Sequence, residues 1–431
     1  MQGRTLEEKL RLGEMDGMLL ELYGAERLEA SRARCGIVLK GFAEAFGGQA
    51  EALFSAPGRT ELGGNHTDHE RGRVLAASVD LDILAAAAPN GSGVIRIQSQ
   101  GYPLIAVNLE ELEPREGEEN TTAALVRGVA ARMSALGCPL AGAGLDAYMV
   151  STVPGGSGLS SSAAFEVLMA TMLNELFWDG RCTPMEIAQI GQYAENVYFG
   201  KPCGLLDQAA CSVGGVVAMD FADRDRPAVE RIALDLAANR CALCVLDSGA
   251  DHADLTGEYA AVTEELRAVC RCFGKEVLRE VPEEEFLAEL PRVRQAAGDR
   301  GVLRAFHIYA ENRRAAAEAQ ALRQGDFEEF IRLVRESGRS SAMYLQNVVP
   351  TGEVRHQEMM VAIALAERLL EGRGAVRVHG GGFAGTVQAF VPMEMLEMFK
   401  AGVEAVLGAG SCHAVAIRPV GGVRLDRARP V

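Results

Sequence analysis

Through the first fifty residues apolar positions recur at helical spacing. Leu10, Met18, Leu19 and Leu22 fall among Glu, Arg and Ala, so this stretch predicts helices: an extension over about 1–45, then the first domain helix. Between Ala52 and Ile97 the pattern turns strand-like, with runs at Val74 to Leu84 and Gly93 to Ile97 parted by the turn Pro89-Asn-Gly-Ser92. A Gly-rich loop, Gly58 to Gly64, precedes them. An acidic loop at 110–120 leads to a helical pattern from Thr121 to Leu136. Gly144 to Val153 reads as a strand, Pro154 to Gly158 as a tight loop, and Ser160 to Phe177 and Pro184 to Phe199 as helices, the second ending in a loop at Gly200 to Gly204. Beyond Gly214 short strands give way to a long helical stretch near Tyr259 to Ala297 and to further helices between Val302 and Gly372. Strand and Gly-loop material closes the chain, at Val376 to Val391 and Ala414 to Val420. No fixed-period repeat is present, which excludes solenoids and propellers.

Composition narrows the class. At about 150 residues per domain, 431 residues make two or three domains. With 43 Lys and Arg against 59 Asp and Glu, the net charge of −16 argues against nucleic acid or an anionic membrane as partner. No apolar run reaches the ~18–20 residues of a membrane span, and the first thirty residues are too charged for a signal peptide, so a cytoplasmic protein is expected. The ten Cys follow neither a disulfide framework nor paired zinc knuckles and read as reduced thiols. In the apolar run from Cys241 to Leu246, a buried strand, Cys241 and Cys244 point to opposite faces.

Two loops carry candidate chemistry. In Val153-Pro-Gly-Gly-Ser-Gly-Leu-Ser-Ser-Ser-Ala-Ala164 a strand runs into a Gly loop and then into serines that open a helix. Such a loop frees backbone N–H groups, and the helix N-terminus adds roughly half a positive charge, so a triphosphate fits there. No Lys follows the glycines, so this is not a Walker A loop; charge neutralisation must come from the helix end and a metal, with the serine hydroxyls free to cap the helix or ligate it. The second loop crowds Arg59, Asn65, His66, Asp68 and His69 into eleven positions, a density of polar groups that suits a hydroxyl-rich ligand such as a sugar. His66 and His69 with Asp68 also have ligand types for a metal, although no second cluster completes a shell.

These segments resemble the galactokinase branch of the GHMP small-molecule kinases. The matching stretches are Pro57 to Asp68, Pro154 to Ala164, Ala194 to Gln208 and His379 to Gly385, with a fifth, Asp247 to Tyr259, that keeps the spacing of its Ser, His and Glu-Tyr. The resemblance implies an α+β, two-domain GHMP kinase fold. An N-terminal domain like domain 2 of ribosomal protein S5 would cover 1–215 and a ferredoxin-like C-terminal domain 216–431, with the active site between them. It implies ATP as co-substrate with Mg2+, a sugar phosphorylated at its anomeric hydroxyl, and a monomer or weak homo-oligomer. By position, Arg59 and Asp207 match the catalytic pair. Ser162, or its neighbour Ser161, and Glu195 match the metal ligands, and Asn65, His66, Asp68, Gly204 and Tyr259 the sugar contacts. Pro154, Gly155, Gly156, Ser157, Gly158, Leu159, Ser160 and Ser161 match the nucleotide loop.

The chain departs from the family at four places. Asn65 stands where the family has a Glu that holds the sugar's C6 hydroxyl. A neutral contact is worth about 0.5–1.5 kcal/mol where a charged one is worth about 1.5–3. The amide also lifts repulsion against a C6 carboxylate, which makes galacturonate a rival substrate beside arabinose and N-acetylgalactosamine. Gly63 replaces an apolar residue, Asp251 replaces a frequent Arg, and Met343 to Pro350 replaces an acidic, Tyr-containing segment at the expected rim of the sugar pocket. A non-catalytic sugar sensor of the same fold has no need of Arg59, Asp207 and the serines together, and a hydrolase built on His66 and His69 would hold a transition metal.

Overall fold

The computed structural model describes residues 4–153, 158–201, 203–223, 226–250, 255–383 and 385–427. A reciprocal capping box between Thr5 and Glu8 starts α1 (Leu6–Arg11), and α2 (Asp16–Tyr23) and α3 (Leu28–Phe46) follow. Next come β1 (Ala52–Gly63), β2 (Arg73–Pro89), β3 (Val94–Ser99) and β4 (Ile105–Asn108), then α4 (Thr122–Ala135), capped by Thr121. β5 (Leu145–Ser151) leads to α5 (Ser161–Phe177) and α6 (Pro184–Ala194), a second capping box with Pro at its first position. A π turn at Glu195–Phe199 and α7 (Leu206–Val213) follow. The second half runs β6 (Val216–Asp220), β7 (Ala228–Ile232), β8 (Cys241–Asp247), α8 (Thr256–Arg271), α9 (Glu283–Ala288), α10 (Leu290–Arg323, kinked at Gly298) and α11 (Phe327–Ser340). A π turn at Ser341–Leu345, α12 (Glu358–Leu370), β9 (Ala375–Val378), β10 (Thr386–Pro392), α13 (Leu396–Leu407), β11 (Cys412–Val415) and β12 (Val423–Arg424) complete it.

Two sheets result. The larger has the order β12-β1-β2-β5-β3-β4, with β6 on the first part of β2 and β7 beyond it; only β3 and β5 are parallel. The smaller, β11-β8-β10-β9, is antiparallel throughout. Numbered by their order in the chain its strands lie 4-1-3-2, with helices between the first and second and between the third and fourth, which is the ferredoxin-like arrangement. The expected division at 215/216 does not follow the sheets. β6 continues the large sheet past it on the first part of the long β2, β7 follows on β6, and β12 returns to pair with β1 at Phe54 and Ser55.

Every residue of β1 is buried, since both faces of the strand are covered. Phe54, Ala56 and Ile83 face the main core, while Leu53, Leu84 and Ala86 face α1–α3. The N-terminal extension therefore caps the outer face of the sheet. Buried Asp82 ties it down, accepting from Tyr23 and Ser55, from Arg34 at 2.6 Å and from Arg418 at 3.2 Å. Cys241 and Cys244 do face opposite cores, and all ten Cys are free thiols.

Two local expectations need correction, and one helix was not foreseen. The Gly58 to Gly64 loop is strand almost to its end: β1 runs through Gly63, with bulges at Pro57/Arg59 and Glu61/Gly63 absorbing the irregular residues. The helical stretch from Tyr259 to Ala297 is broken after Arg271 and resumes at Glu283, where Pro282 precedes α9. α13, between two strand segments, had no separate signal. Among the described residues no helix is long and apolar enough to cross a membrane.

Candidate active site

The bulge in β1 turns Arg59 toward α7. Its Nε and Nη2 donate to the two carboxylate oxygens of Asp207, each at 2.7 Å, a bidentate pair, and Nη1 donates to the carbonyl of Gly158. Arg59 N–H also donates to the Leu159 carbonyl at 3.1 Å, so the exit of the Gly-rich loop is stitched to β1 twice. Ser160, in the left-handed region at φ 57°, sends its hydroxyl to Asp207 at 2.6 Å. That corrects its expected capping role: the Ser160 side chain makes no cap hydrogen bond to α5, whose N-terminus favours an anion. Burial pushes the Asp207 carboxyl up, but the Arg59 guanidinium and the Ser160 hydroxyl outweigh it and hold the group below the usual carboxylate range. The side chain keeps 32 % of its surface open, enough to meet a ligand. Gly158, Leu159, Ser160 and Ser161 lie at this junction; Pro154, Gly155, Gly156 and Ser157 fall outside the described residues.

At the second residue of α5, Ser162 Oγ lies 3.4 Å from Glu195 Oε1 at the head of the π turn. Gln208, next in sequence to Asp207, donates from one nitrogen to Glu195 at 2.7 Å and to Glu166 at 2.9 Å. Burial, and then the Glu195 carboxylate, push the Glu166 carboxyl well above the usual carboxylate range. Sequence reasoning assigned no role to Ser160 as an Asp207 partner, nor to Gln208 or Glu166. The adjacency of Gln208 to Asp207 was the only local signal for it.

The loop after β1 is held from the opposite layer. Gly380, Gly381 and Gly382 turn three successive carbonyls to Asn65 Nδ2 at 2.7 Å, His66 Nε2 at 3.0 Å and Tyr259 Oη at 2.8 Å. Tyr259 packs edge-on against Phe383, ring centroids 5.4 Å apart. His66 must donate through Nε2 to a carbonyl, and burial, with His69 nearby, lowers its pKa to about 4, so the neutral ring keeps Nδ1 as an acceptor. Among the described residues no group of three or more His, Cys, Asp or Glu is placed to hold a metal. Asp68 presses on the backbone of Gly204, where an added Cβ would stand 2.2 Å from Oδ2.

Asn65 departs from its expected place. It is fully buried and its amide is saturated by protein: Nδ2 also donates to Glu61 at 3.0 Å, and Oδ1 accepts from Ser341 at 3.1 Å and Asn347 at 2.9 Å. Glu311 on α10 accepts the N–H groups of Gly64 and Asn65, and His307 donates to the Asn65 carbonyl. The residue frames the site, with no polar atom left for a sugar. Gly63 has a steric reason: a Cβ there would lie 1.6 Å from Glu318 Oε2, a carboxyl without hydrogen-bond partners that burial keeps well above the usual range. The Met343 to Pro350 segment sends Asn347 under this loop and leaves Met343 and Tyr344 exposed, while Asp251 lies outside the described residues.

Residues 124–215 match the model of the GHMP kinases N terminal domain, and residues 40–89 the galactokinase galactose-binding signature. The galactokinase of Streptomyces coelicolor is 30% identical over 385 residues, 89% of this chain and 95% of that protein. The galactokinase of Homo sapiens is 34% identical over 360 residues, 80% and 85% of the two chains. The crystal structure of Lactococcus lactis galactokinase complexed with galactose superposes with a TM-score of 0.76 at 25% identity, covering 90% of this chain and 99% of that one. Matches of this length on both sequence and fold, over the segments that build the site, make the chain a member of the galactokinase family of GHMP kinases.

Proposed function

We propose that this chain transfers the terminal phosphoryl group of ATP to the anomeric hydroxyl of galactose, giving galactose 1-phosphate and ADP. One observation carries the reading: the Asp207 carboxylate, ionised by Arg59, is hydrogen-bonded to Ser160 at the uncapped start of α5, so a proton acceptor sits beside a phosphate cradle. The sugar oxygen attacks the γ-phosphorus, the β–γ bridging bond breaks toward ADP, and the hydroxyl proton passes to Asp207. Phosphoryl transfer asks little covalent chemistry of the protein, so alignment and charge stabilisation supply most of the rate.

Ser162 and Glu195 present two hard oxygen donors side by side, the set that suits Mg2+, which takes few protein ligands and keeps phosphate and water for the rest. Bound there, Mg2+ would neutralise charge on the phosphates. Gln208, held in turn by Glu166, fixes the direction of the Glu195 carboxylate. On the sugar side His66 Nδ1 and Asp68 face the ligand as hydrogen-bond acceptors, with Gly204 and Tyr259 shaping the wall. The galactose-binding signature and the galactokinase relatives support galactose as acceptor.

The test is ADP release and phosphorus NMR from protein with ATP and Mg2+, against galactose, galacturonate, arabinose, N-acetylgalactosamine and no sugar. An anomeric phosphate signal with galactose is expected. ATP-binding protein that releases no ADP with any sugar would overturn the reaction.

A further inference from the structure

A cleft of about 1080 Å³ opens beside Asp68 and Gly204, and the chemistry above uses only its edge. Pockets of roughly 300–1,000 Å³ hold whole drug-sized ligands, so one hexose against Asp68 leaves most of this space open. Arg59, Asp207 and residues 158–162 do not line it. It therefore lies beyond the sugar on the side away from the phosphate loop.

The lining has a distinct charge. Arg267 and Arg271, four residues apart on α8, share one face of the helix, and Lys275 follows in the turn after it. Across the cleft Arg132 stacks over the Tyr193 ring, 5.3 Å from its centroid. Among the described residues Arg132, Arg271 and Lys275 take part in no ion pair, and Arg267 reaches only Glu264, at 3.8 Å. The acids of the lining are largely engaged: Glu276 lies 3.6 Å from Arg71, and buried Glu70 accepts the Leu278 N–H at 2.6 Å. Five cations of the lining, Arg71, Arg132, Arg267, Arg271 and Lys275, outnumber its three acids, Asp68, Glu70 and Glu276, in a chain of net charge −16, and a cleft with an excess of one sign concentrates the opposite charge.

We infer that this cleft receives an anionic substituent, a carboxylate or sulfate, carried by the acceptor sugar on the part remote from its anomeric carbon, so that acidic galactose derivatives are substrates. The placement rests on the proposed reaction, in which the anomeric oxygen meets Asp207. Gly204 lies three residues before Asp207 and touches Asp68, so the ring extends from Asp207 toward Asp68 and its far substituents enter the cleft.

The experiment measures kcat/KM with ATP for galactose, galacturonate, galactose 3-sulfate and galactose 6-sulfate, in the wild type and in the double variant Arg271→Gln/Lys275→Gln. At least one acidic sugar should be used as well as galactose. The double variant should lower its kcat/KM roughly tenfold, the loss expected for one charge-assisted hydrogen bond, while galactose and the KM for ATP stay within about twofold. Raising the salt should reproduce the loss in the wild type. Galactose phosphorylated while every acidic sugar is refused, or a loss shared equally by galactose, overturns the inference and leaves the reaction standing. Acidic sugars phosphorylated with galactose refused overturns galactose as acceptor and keeps the cleft. Inorganic sulfate that inhibits all sugars alike would mark a site for free anions and overturn the sugar-linked assignment.

Discussion

Replacing Asn65 with Glu asks whether position 65 belongs to the sugar or to the frame. The amide donates to Glu61 and Gly380 and accepts from Ser341 and Asn347, all within 3.1 Å and with no surface exposed. A carboxylate keeps the two acceptances and donates nothing, so the Glu61 carboxylate and the Gly380 carbonyl each lose a donor. The Gly380 carbonyl left unsatisfied costs about 1–3 kcal/mol, Glu61, which keeps Arg377, loses one hydrogen bond worth about 0.5–1.5 kcal/mol, and the extra methylene adds about 1–3 more. Against a total stability of about 5–15 kcal/mol, Asn65→Glu should lower the urea midpoint by about 1 M or more, or yield little soluble protein. Adding Glu61→Gln returns a donor facing the new carboxylate, so the double variant should recover a good part of the midpoint. An Asn65→Glu protein as stable as the wild type, with a lower KM for galactose, would refute the reasoning and return this side chain to the sugar.

Three further outcomes follow from groups whose partners are known. Asp207→Asn should lower kcat by about 10²–10⁴ while calorimetry still detects sugar binding; undiminished turnover would remove Asp207 as proton acceptor. Asp82→Asn leaves Arg34 and fully buried Arg418 facing each other without their carboxylate, at a cost of about 3–5 kcal/mol in thermal or urea unfolding. Burial pushes Asp82 up but Arg34 and Arg418 pull it lower, so its contribution is present above the ordinary Asp range and is lost as pH falls through the depressed value; a variant equally stable at neutral pH would contradict the ion-pair role. Glu70 is the opposite case, pushed up to about 7 by burial, so the wild type binds more protons folded than unfolded between pH 4.5 and 7 and loses stability across that window. Glu70→Gln should gain on the wild type through the same window, reaching about 3 kcal/mol above it, and parallel pH profiles would show that the carboxyl is not buried as described.

Legibility in the sequence tracked how local each feature's cause is. The strand, Gly loop and serines before α5 were readable because a phosphate cradle is built from consecutive residues, and the helix starts because caps act over three positions. Arg59 stood out only as one of several polar residues crowded into one segment, and Asp207, 148 positions away, was found through the resemblance alone. Asn65 was misassigned because its partners Gly380 and Asn347 lie 315 and 282 positions away, and nothing near residue 65 reports that its amide is already spoken for. The segment before Gly64 looked like a loop because Pro and Gly signal turns, but bulges in a doubly covered strand take the same residues.

The two layers divide the work at the site in a way that follows from which bonds cross between them. Arg59, Ser160 and Asp207 bond to one another, as do Ser162 and Glu195, and all stand on elements of the large-sheet layer, so the set proposed for phosphoryl transfer lies within that layer. His66 and Tyr259 instead take their orientation from carbonyls of residues 381 and 382, at the exit of β9 in the smaller sheet. With Nε2 committed there, the His66 ring can offer a ligand only Nδ1, as an acceptor. In the proposed function the smaller layer thus sets which sugar hydroxyl pattern is satisfied. Small shifts of residues 380–383 change the fit of the acceptor and leave the Arg59–Asp207 pair untouched, so acceptor choice can vary within this architecture while the proton acceptor and phosphate cradle stay as they are.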